Sequence, residues 1–221
     1  MCATAIAGAA YIRGMYRPRH FAADDSWATA AATDIGFGHL VATGSAGFES
    51  TPLPFVVSPD GTTIRAHVAR PNQIWRAAPC SMLLIIPGAD AYVSPSVYPS
   101  KQADGKVVPT WNYEVVHAHC SAVAVDDAGW LLTLVTDLTE RLEGARATSA
   151  RGEAWSVDDA PAGYIDGLLR AIVGIELTVE RWEGKRKLSQ NRNEDDIAAV
   201  AADLATGTPA EQRVAAAMQL R

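Results

Sequence analysis

The chain has 221 residues, a length that suits one large domain or two small ones with a sizeable core. Hydrophobic residues make up 48% and charged residues 20% of the sequence, and the apolar runs are too short for a transmembrane helix, so no membrane partner is expected. The formal net charge of -6 argues against a whole-surface basic footprint for nucleic acid. The scattered cysteines Cys2, Cys80 and Cys120 predict reduced thiols rather than a disulfide framework.

The first residues of the chain are small and apolar, and they precede the more polar segment Met15-Tyr16-Arg17-Pro18. A secretory signal peptide places its positive charge before the apolar stretch, and here the order is reversed. We therefore interpret residues 1–14 as a disordered leader or an upstream translation start, with Met15 as a second plausible start. The protein is expected to be cytoplasmic.

The front half of the chain predicts short strands separated by turns. Asp24 or Asp25 can cap a helix over residues 26–34. Pro52 and Pro54 place one strand at an edge or a bulge, because proline cannot donate to a sheet. The predicted strands cover residues 37–43, 48–57, 62–68, 81–87, 90–94 and 110–125, with a short helix starting at Pro71. This density of strands predicts a small β-barrel rather than an alternating α/β sheet.

The back half is dominated by helices. Apolar residues at helical spacing predict helices over 127–143 and 161–173. An alternating segment that includes residues 175–182 predicts one more strand, and Ala-rich helix follows over 193–221 with a break at 206–209. The predicted fold class is therefore mainly β with peripheral helices, an α+β arrangement in one domain.

One segment combines a strand with a predicted helix start. Residues 64–75 begin as an alternating strand and turn at Ala69-Arg70-Pro71-Asn72, where Pro71 suits the first position of a helix. The free N–H groups of a helix N-terminus together with the guanidinium of Arg70 would bind a phosphate or another anion. An ordinary strand-to-helix turn with a solvated arginine is an equally good interpretation of these residues.

Two further clusters indicate ligand binding. The basic run Lys185–Arg192 follows a predicted strand and mixes its charges with Ser189 and Gln190, which favours a bound anion. Trp111 and Tyr113 enter the long strand and can line a cleft for a planar ligand, although core packing explains them at least as well. Motifs of the P-loop, dinucleotide-fingerprint and nucleophile-elbow types are absent from the sequence.

A metal site is not predicted. His117 and His119 share one face of a strand, but Cys120 points to the other face. Neither a carboxylate nor a second Cys-x-x-Cys motif accompanies them in the sequence to complete a tetrahedral site.

Six short motifs, taken in order, resemble the PaiB family of FMN-binding negative transcriptional regulators. They lie at residues 15–21, 51–55, 67–75, 91–98, 108–113 and 187–192. The resemblance implies the FMN-binding split β-barrel fold, shared with pyridoxamine-phosphate-oxidase-like proteins, and a homodimer with flavin at the subunit interface. It gives a leader over 1–14, a split-barrel domain over 15–205 and a helical tail over 206–221.

The resemblance also implies site residues. His67, Val68, Ala69, Arg70 and Asn72 would contact the phosphate and ring edge of FMN. A second set would approach the flavin, from the partner subunit; its members are Lys187, Ser189, Gln190 and Arg192. Trp111 is added as a cofactor-binding candidate because of the planar-ligand cleft described above.

Two functions follow from these expectations. The first is a dimeric FMN-binding regulator whose partner is DNA or a regulatory protein. The alternative is a flavin-dependent oxidoreductase acting on a small planar or nicotinamide-like substrate, with Trp111, Tyr113 and His117 on the substrate side. A barrel that no longer holds flavin and serves as a structural dimer is a third possibility.

Overall fold

The computed structural model describes residues 14–44, 47–147, 152–161 and 163–220. All but Gly14 of the predicted leader lies outside the described residues. The described strands are β1 (Ala22–Ala23), β2 (Phe37–Gly44), β3 (Gly47–Val57), β4 (Thr63–Ala69), β5 (Cys80–Val93), β6 (Thr110–Val125) and β7 (Ile172–Lys187). The described helices are α1 (Asp25–Ile35), α2 (Lys101–Asp104), α3 (Ala128–Ala147), α4 (Tyr164–Leu169), α5 (Glu194–Ala205) and α6 (Pro209–Gln219).

Six of the strands form a closed antiparallel barrel. Their order around the barrel is β7-β4-β3-β2-β5-β6, and β6 pairs with β7 to close it, while the short β1 pairs with the far end of β7. Alternate side chains point inward, and the core includes the fully buried Leu40, Phe55, Leu84 and Leu177. The predicted mainly β fold with peripheral helices is confirmed.

The two prolines of β3 occupy a local edge. The register of β3 with β2 includes Pro52 and Pro54, whereas its register with β4 covers only Phe55–Val57. Because proline has no N–H to donate, it fits where a strand is paired on one side only. The edge position predicted for these prolines is therefore confirmed. The strand β3 as a whole is not an edge strand, because it pairs with β2 on one side and with β4 on the other.

Helix α3 packs on the outer surface of β3, β4 and β7, where it buries Leu131, Leu134 and Leu138, and polar contacts add to this packing. Arg65 of β4 donates to Asp137 at 2.5 Å, and the indole N–H of Trp130 donates to Glu176 of β7 at 3.3 Å. Gly174 of β7 lies directly beneath the Trp130 ring, where a Cβ atom would collide with it. Helix α1 packs near one end of the barrel and begins at Asp24, whose carboxylate accepts the N–H of Trp27 at 2.8 Å.

A second, smaller core lies where the ends of β5 and β7 meet α5 and α6. Leu188, fully buried, is packed among Val93, Val200 and Val214. The break predicted between the last two helices is confirmed, because Thr208 begins α6 with a capping box. In the described part of the chain, no helix has the length and apolar character needed to cross a membrane.

Two predicted helices are wrong in part. The short helix expected from Pro71 is a 3-10 turn over Ile74–Ala77, because the Asn72 side chain accepts the N–H of Ile74 and holds the preceding residues in a turn. The helix expected over 161–173 ends at Leu169, since Ile172 already pairs with β4. In both cases a specific tertiary or side-chain contact overrides the local pattern.

The Asp196 carboxylate fixes the start of α5 to the loop before α2. It accepts the N–H of Ser100 at 3.0 Å, the hydroxyl of Ser100 at 2.7 Å and the carboxamide of Asn193 at 3.1 Å, and it is almost fully buried. We expect Asp196→Ala to lower the free energy of unfolding in urea by about 1.5–3 kcal/mol at neutral pH, because it leaves these donors unpaired. Asp195→Ala, which removes an exposed carboxylate from the same helical turn, should have little effect.

The same substitution has a predictable pH dependence. Burial alone would raise the pKa of Asp196, but the hydrogen bonds from Ser100 and the charge of Arg192 bring that pKa below its ordinary value of 3.8. A pKa lowered by folding contributes stability above the ordinary value, and the contribution is lost as the pH falls through the folded value. The stability difference between the wild type and Asp196→Ala should therefore shrink below pH 3.8. A difference that stayed constant through that acid range would contradict this assignment.

Candidate functional site

The first group of predicted site residues lies within residues 67–72, where β4 ends. We call this segment the Arg70 turn. Side chains alternate along β4, so Val68 points into the barrel core while His67 and Ala69 lie on the outer surface. Any ligand contact at Val68 is therefore made by its backbone. Ala69 is exposed.

The guanidinium of Arg70 is largely engaged within the chain. It donates to the two carboxylate oxygens of Asp126 at 2.9 and 2.6 Å, to the carbonyl of Arg170 at 2.9 Å and to that of Ile172 at 3.0 Å. The hydrogen bond with Asp126 raises the pKa of Arg70 and lowers that of Asp126. Four of its five N–H donors thus have partners in the described part of the chain. The predicted phosphate contact of Arg70 stays a prediction, and the helix N-terminus expected beside it is absent from this turn.

Asn72 closes the turn and connects it to β3. Its backbone N–H donates to the carbonyl of Ala69 at 2.8 Å, its carboxamide oxygen accepts from Ile74 at 3.0 Å, and its Nδ2 donates to Thr51 Oγ1 at 2.9 Å. Thr51 lies just before the two prolines of β3, on the side left open by β4. The sequence analysis did not select Thr51 as a site residue, although it begins one of the six motifs.

His67 has an unpaired polar atom. Its Nδ1 is buried and has no hydrogen-bond partner among the described residues, and burial lowers the pKa of the ring, so His67 is neutral near pH 7. Buried polar atoms are almost always paired in folded proteins. An unpaired imidazole nitrogen beside an exposed turn fits a polar ligand such as a flavin, which carries many hydrogen-bonding groups.

The second group lies at the far end of β7, and residues 187–192 together with Trp111 are called the Lys187 end. Lys187 Nζ donates to Thr110 Oγ1 and to the carbonyl of Trp111, both at 2.5 Å. Burial lowers the pKa of Lys187, as do the nearby charges of other basic side chains. Trp111 is 49% exposed, donates its indole N–H to Asp90 at 3.0 Å and lies edge-to-face with Tyr92. A cation and two exposed aromatic rings therefore lie together.

The other predicted residues of the Lys187 end hold its shape. Ser189 has a positive φ of 66°, is buried, and exchanges hydrogen bonds with the Asn112 carboxamide at 3.0 and 3.1 Å. Gln190 accepts the N–H of Leu188 and donates to the carbonyl of Arg186, both at 2.7 Å. Arg192 stacks on the buried Tyr98 ring at 4.7 Å. The hydroxyl of Ser189 is therefore turned toward Asn112 rather than toward a ligand.

The two groups lie far apart along one chain. His67 pairs with Gly174 near the start of β7, and Lys187 is the last residue of that strand. At about 3.3 Å per residue the strand separates them by roughly 40 Å of chain. The structure thus brings together the members of each predicted group but not the two groups.

A third cluster was missed by the sequence analysis. His117 and His119 share the outer face of β6 as predicted, and the β6–β7 register places Glu183 directly opposite His117. The carboxylate that the histidines lack in sequence is therefore supplied by the neighbouring strand. The alternation of β6 gave the shared face of its histidines correctly. In β7 the alternation shifts by one residue between Val179 and Arg181, so neither the face of Glu183 nor its partner on β6 could be read from the pattern of that strand.

The comparisons with known proteins agree with this architecture. The chain matches the profile of a family described as "Putative FMN-binding domain" over residues 15–181. The chain belongs to this family. It is 31% identical over 189 residues to "Protease synthase and sporulation protein PAI 2" of Bacillus subtilis, covering 82% of this chain and 85% of that protein. It is also 31% identical to an uncharacterised protein of Aspergillus fumigatus, covering 67% of this chain and 72% of the relative.

Solved structures show the same fold. The flavocytochrome Anf3 of Azotobacter vinelandii matches with a TM-score of 0.55 at 16% identity, covering 80% of this chain and 75% of that one. The conserved hypothetical protein Rv2991 of Mycobacterium tuberculosis matches with a TM-score of 0.56 at 12% identity, covering 81% and 95%. The PaiB-like family, the split β-barrel fold and FMN as the cofactor of the family, all predicted from the sequence, are confirmed. The likeness to pyridoxamine-phosphate-oxidase-like proteins stays a prediction.

Proposed function

We propose that the protein is a homodimer that binds FMN between its subunits, with the Arg70 turn of one subunit and the Lys187 end of its partner forming each site. The observation that carries the proposal is the separation of these two groups along β7. The family resemblance assigns both groups to one cofactor, and one chain holds them apart. A two-fold partner joins them without any change of fold.

An apolar strip on the barrel supports this dimer. On the paired strands β2 and β5, Val41 lies opposite Leu83 and His39 lies opposite Ile85. Phe37, at the start of β2, is 50% exposed, and the three aliphatic side chains are only partly buried. Helix α3 packs on a different part of the barrel surface, over β3, β4 and β7. An exposed apolar strip of this kind suits a second copy of the chain, because burying it removes apolar surface from water.

Each group offers suitable chemistry to the cofactor. FMN supplies electron- and hydride-transfer chemistry when it is bound. Lys187 and Arg70 would hold the phosphate, and His67 Nδ1 would pair with a polar edge of the flavin. Trp111 would pack against the ring and exclude water from it.

A mixed dimer tests the shared site. Asn72→Ala disables the Arg70 turn and Lys187→Ala disables the Lys187 end, so each homodimer should bind FMN weakly. The two chains carry different tags, are produced together, and the heterodimer is purified by both tags. It contains one intact and one doubly altered site, so we expect about one FMN per two chains in a fluorescence titration.

The outcomes of this experiment are distinct. A site formed within one chain would leave both sites of the heterodimer impaired, and recovery of binding would not occur. A monomeric mass in light scattering at micromolar concentration would also contradict the proposal. A single cooperative thermal unfolding transition in both variants serves as the control for folding.

The ion pair of Arg70 gives a second prediction. If Arg70 binds the phosphate, Asp126 competes with the ligand, so Asp126→Asn should tighten FMN binding at low salt while Arg70→Ala weakens it by about tenfold or more. Isothermal titration calorimetry measures both affinities. Opposite effects identify a phosphate ligand, whereas equal effects of the two variants would assign Arg70 to structure alone.

We propose further that the flavin-bound dimer is a cytoplasmic regulator acting through a protein partner. The Bacillus subtilis relative is named for protease synthesis and sporulation, and the net charge of -6 disfavours direct contact with DNA. The unpaired thiols of Cys80 and Cys120 suit a reducing compartment. Gel shifts on random duplex DNA at low salt should show no binding. Binding with a steep salt dependence would show direct DNA contact instead.

The exposed aromatic pair favours a second candidate function, a flavin-dependent oxidoreductase. Tyr92 and Trp111 present half-exposed rings beside Lys187, which suits a planar substrate. In that case NADH or NADPH should bleach bound FMN without oxygen, and Trp111→Ala should slow the reaction. Trp155→Ala, which removes a similarly exposed tryptophan elsewhere, should not slow it. Flavin that neither nucleotide reduces would contradict this function.

A further inference from the structure

The cluster on the outer face of β6 and β7 has the composition of a metal site. The ring nitrogens of His117 and His119 and a carboxylate oxygen of Glu183 all lie within 4.8 Å of one another. Two ligand atoms of a tetrahedral zinc ion lie about 3.3 Å apart, given metal–ligand distances near 2.05 Å. His119 Nε2 and Glu183 Oε2 are 3.0 Å apart, and a ring nitrogen of His117 lies within 4.8 Å of the ligand atoms of both residues.

The carboxylate of Glu183 divides its two oxygens between different partners. Oε2 faces His119 and accepts the backbone N–H of Met15 at 2.8 Å. Oε1 faces Arg17 at 3.7 Å and Arg181 at 3.4 Å. The side chain is 5% exposed, so its orientation is fixed from both sides. A coordinating oxygen held in this way needs little reorganisation, as with the outer-shell partners of known metal ligands.

The geometry points to a binding site for a divalent transition-metal ion of the zinc class, with His117, His119 and Glu183 Oε2 as the protein ligands. Two histidines and one carboxylate are the ligand set of several zinc and non-haem iron sites, and they leave coordination positions open. The two arginines reduce the affinity for a cation, and they favour a small anion or hydroxide as the remaining ligand. The site adjoins the apolar strip of the proposed dimer, because His117 pairs with Ile85 and His119 pairs with Leu83 of β5.

Zinc titration tests the site directly. Full-length protein freed of its purification tag and of metal is titrated with zinc chloride in competition with a chromophoric chelator, and with cobalt chloride while its visible spectrum is recorded. We expect about one zinc ion per chain, and His117→Ala and His119→Ala should each weaken binding by at least about tenfold. His20→Ala, which removes an exposed histidine just before β1, should leave the affinity unchanged.

A substitution that is expected to strengthen zinc binding distinguishes a metal site from an ion-pair cluster that only stabilises the fold. Arg181 is 42% exposed and contributes a positive charge beside Glu183, so Arg181→Gln should strengthen zinc binding. Zinc binding that is absent, that survives both histidine substitutions, or that is lost with His20→Ala would overturn the proposal. Weaker binding in Arg181→Gln would also overturn it, because the arginine would then support the ligand set rather than oppose the cation.

Discussion

The pairing of β6 with β7 is the constraint on which the rest of the structure depends. It closes the barrel, and its register decides which side chains meet on the outer face. His117 lies opposite Glu183 and Tyr113 opposite Lys187 because of this register. A slip of one residue would turn every outward side chain of one strand into the core. The apolar residues that face inward on either side of the register shift between Val179 and Arg181 therefore fix the arrangement.

The strand β7 is long enough to extend past the barrel core and reach the second core. There Arg186 donates to the carbonyls of Ala217 and Leu220 at the end of α6, at 3.1 Å each, and to Glu114 of β6 at 2.7 Å. Leu188, two residues later in sequence, is fully buried among the same helices. The C-terminal helices therefore hold the Lys187 end in place.

The sequence allowed the barrel and most of its strands to be predicted, because alternating apolar residues, proline positions and turn residues are local signals. The long strand over 110–125 and the Asp24 cap were correct for this reason. Pairing between distant segments is not a local signal. The pairing of Ile172 with Ala69 ends a helix that the apolar pattern predicted to be longer. The pairing of His117 with Glu183 places a carboxylate beside the histidines, and no motif near them in the sequence predicts it.

In the candidate site, too, the sequence indicates which polar residues are present but not which distant residues they contact. The motifs selected Arg70 and Ser189 as polar residues, but each is engaged by a partner more than 50 residues away, Asp126 in one case and Asn112 in the other. The two cases differ in exposure. Ser189 is buried in its contact with Asn112, whereas the side chains of Arg70 and Asp126 are 37% and 63% exposed. A solvent-exposed ion pair is screened and weakly held, so a phosphate, which carries more charge than a carboxylate, can displace Asp126 without unfolding the turn. Arg70 can thus serve both the fold and a ligand, which the buried Ser189 hydroxyl cannot.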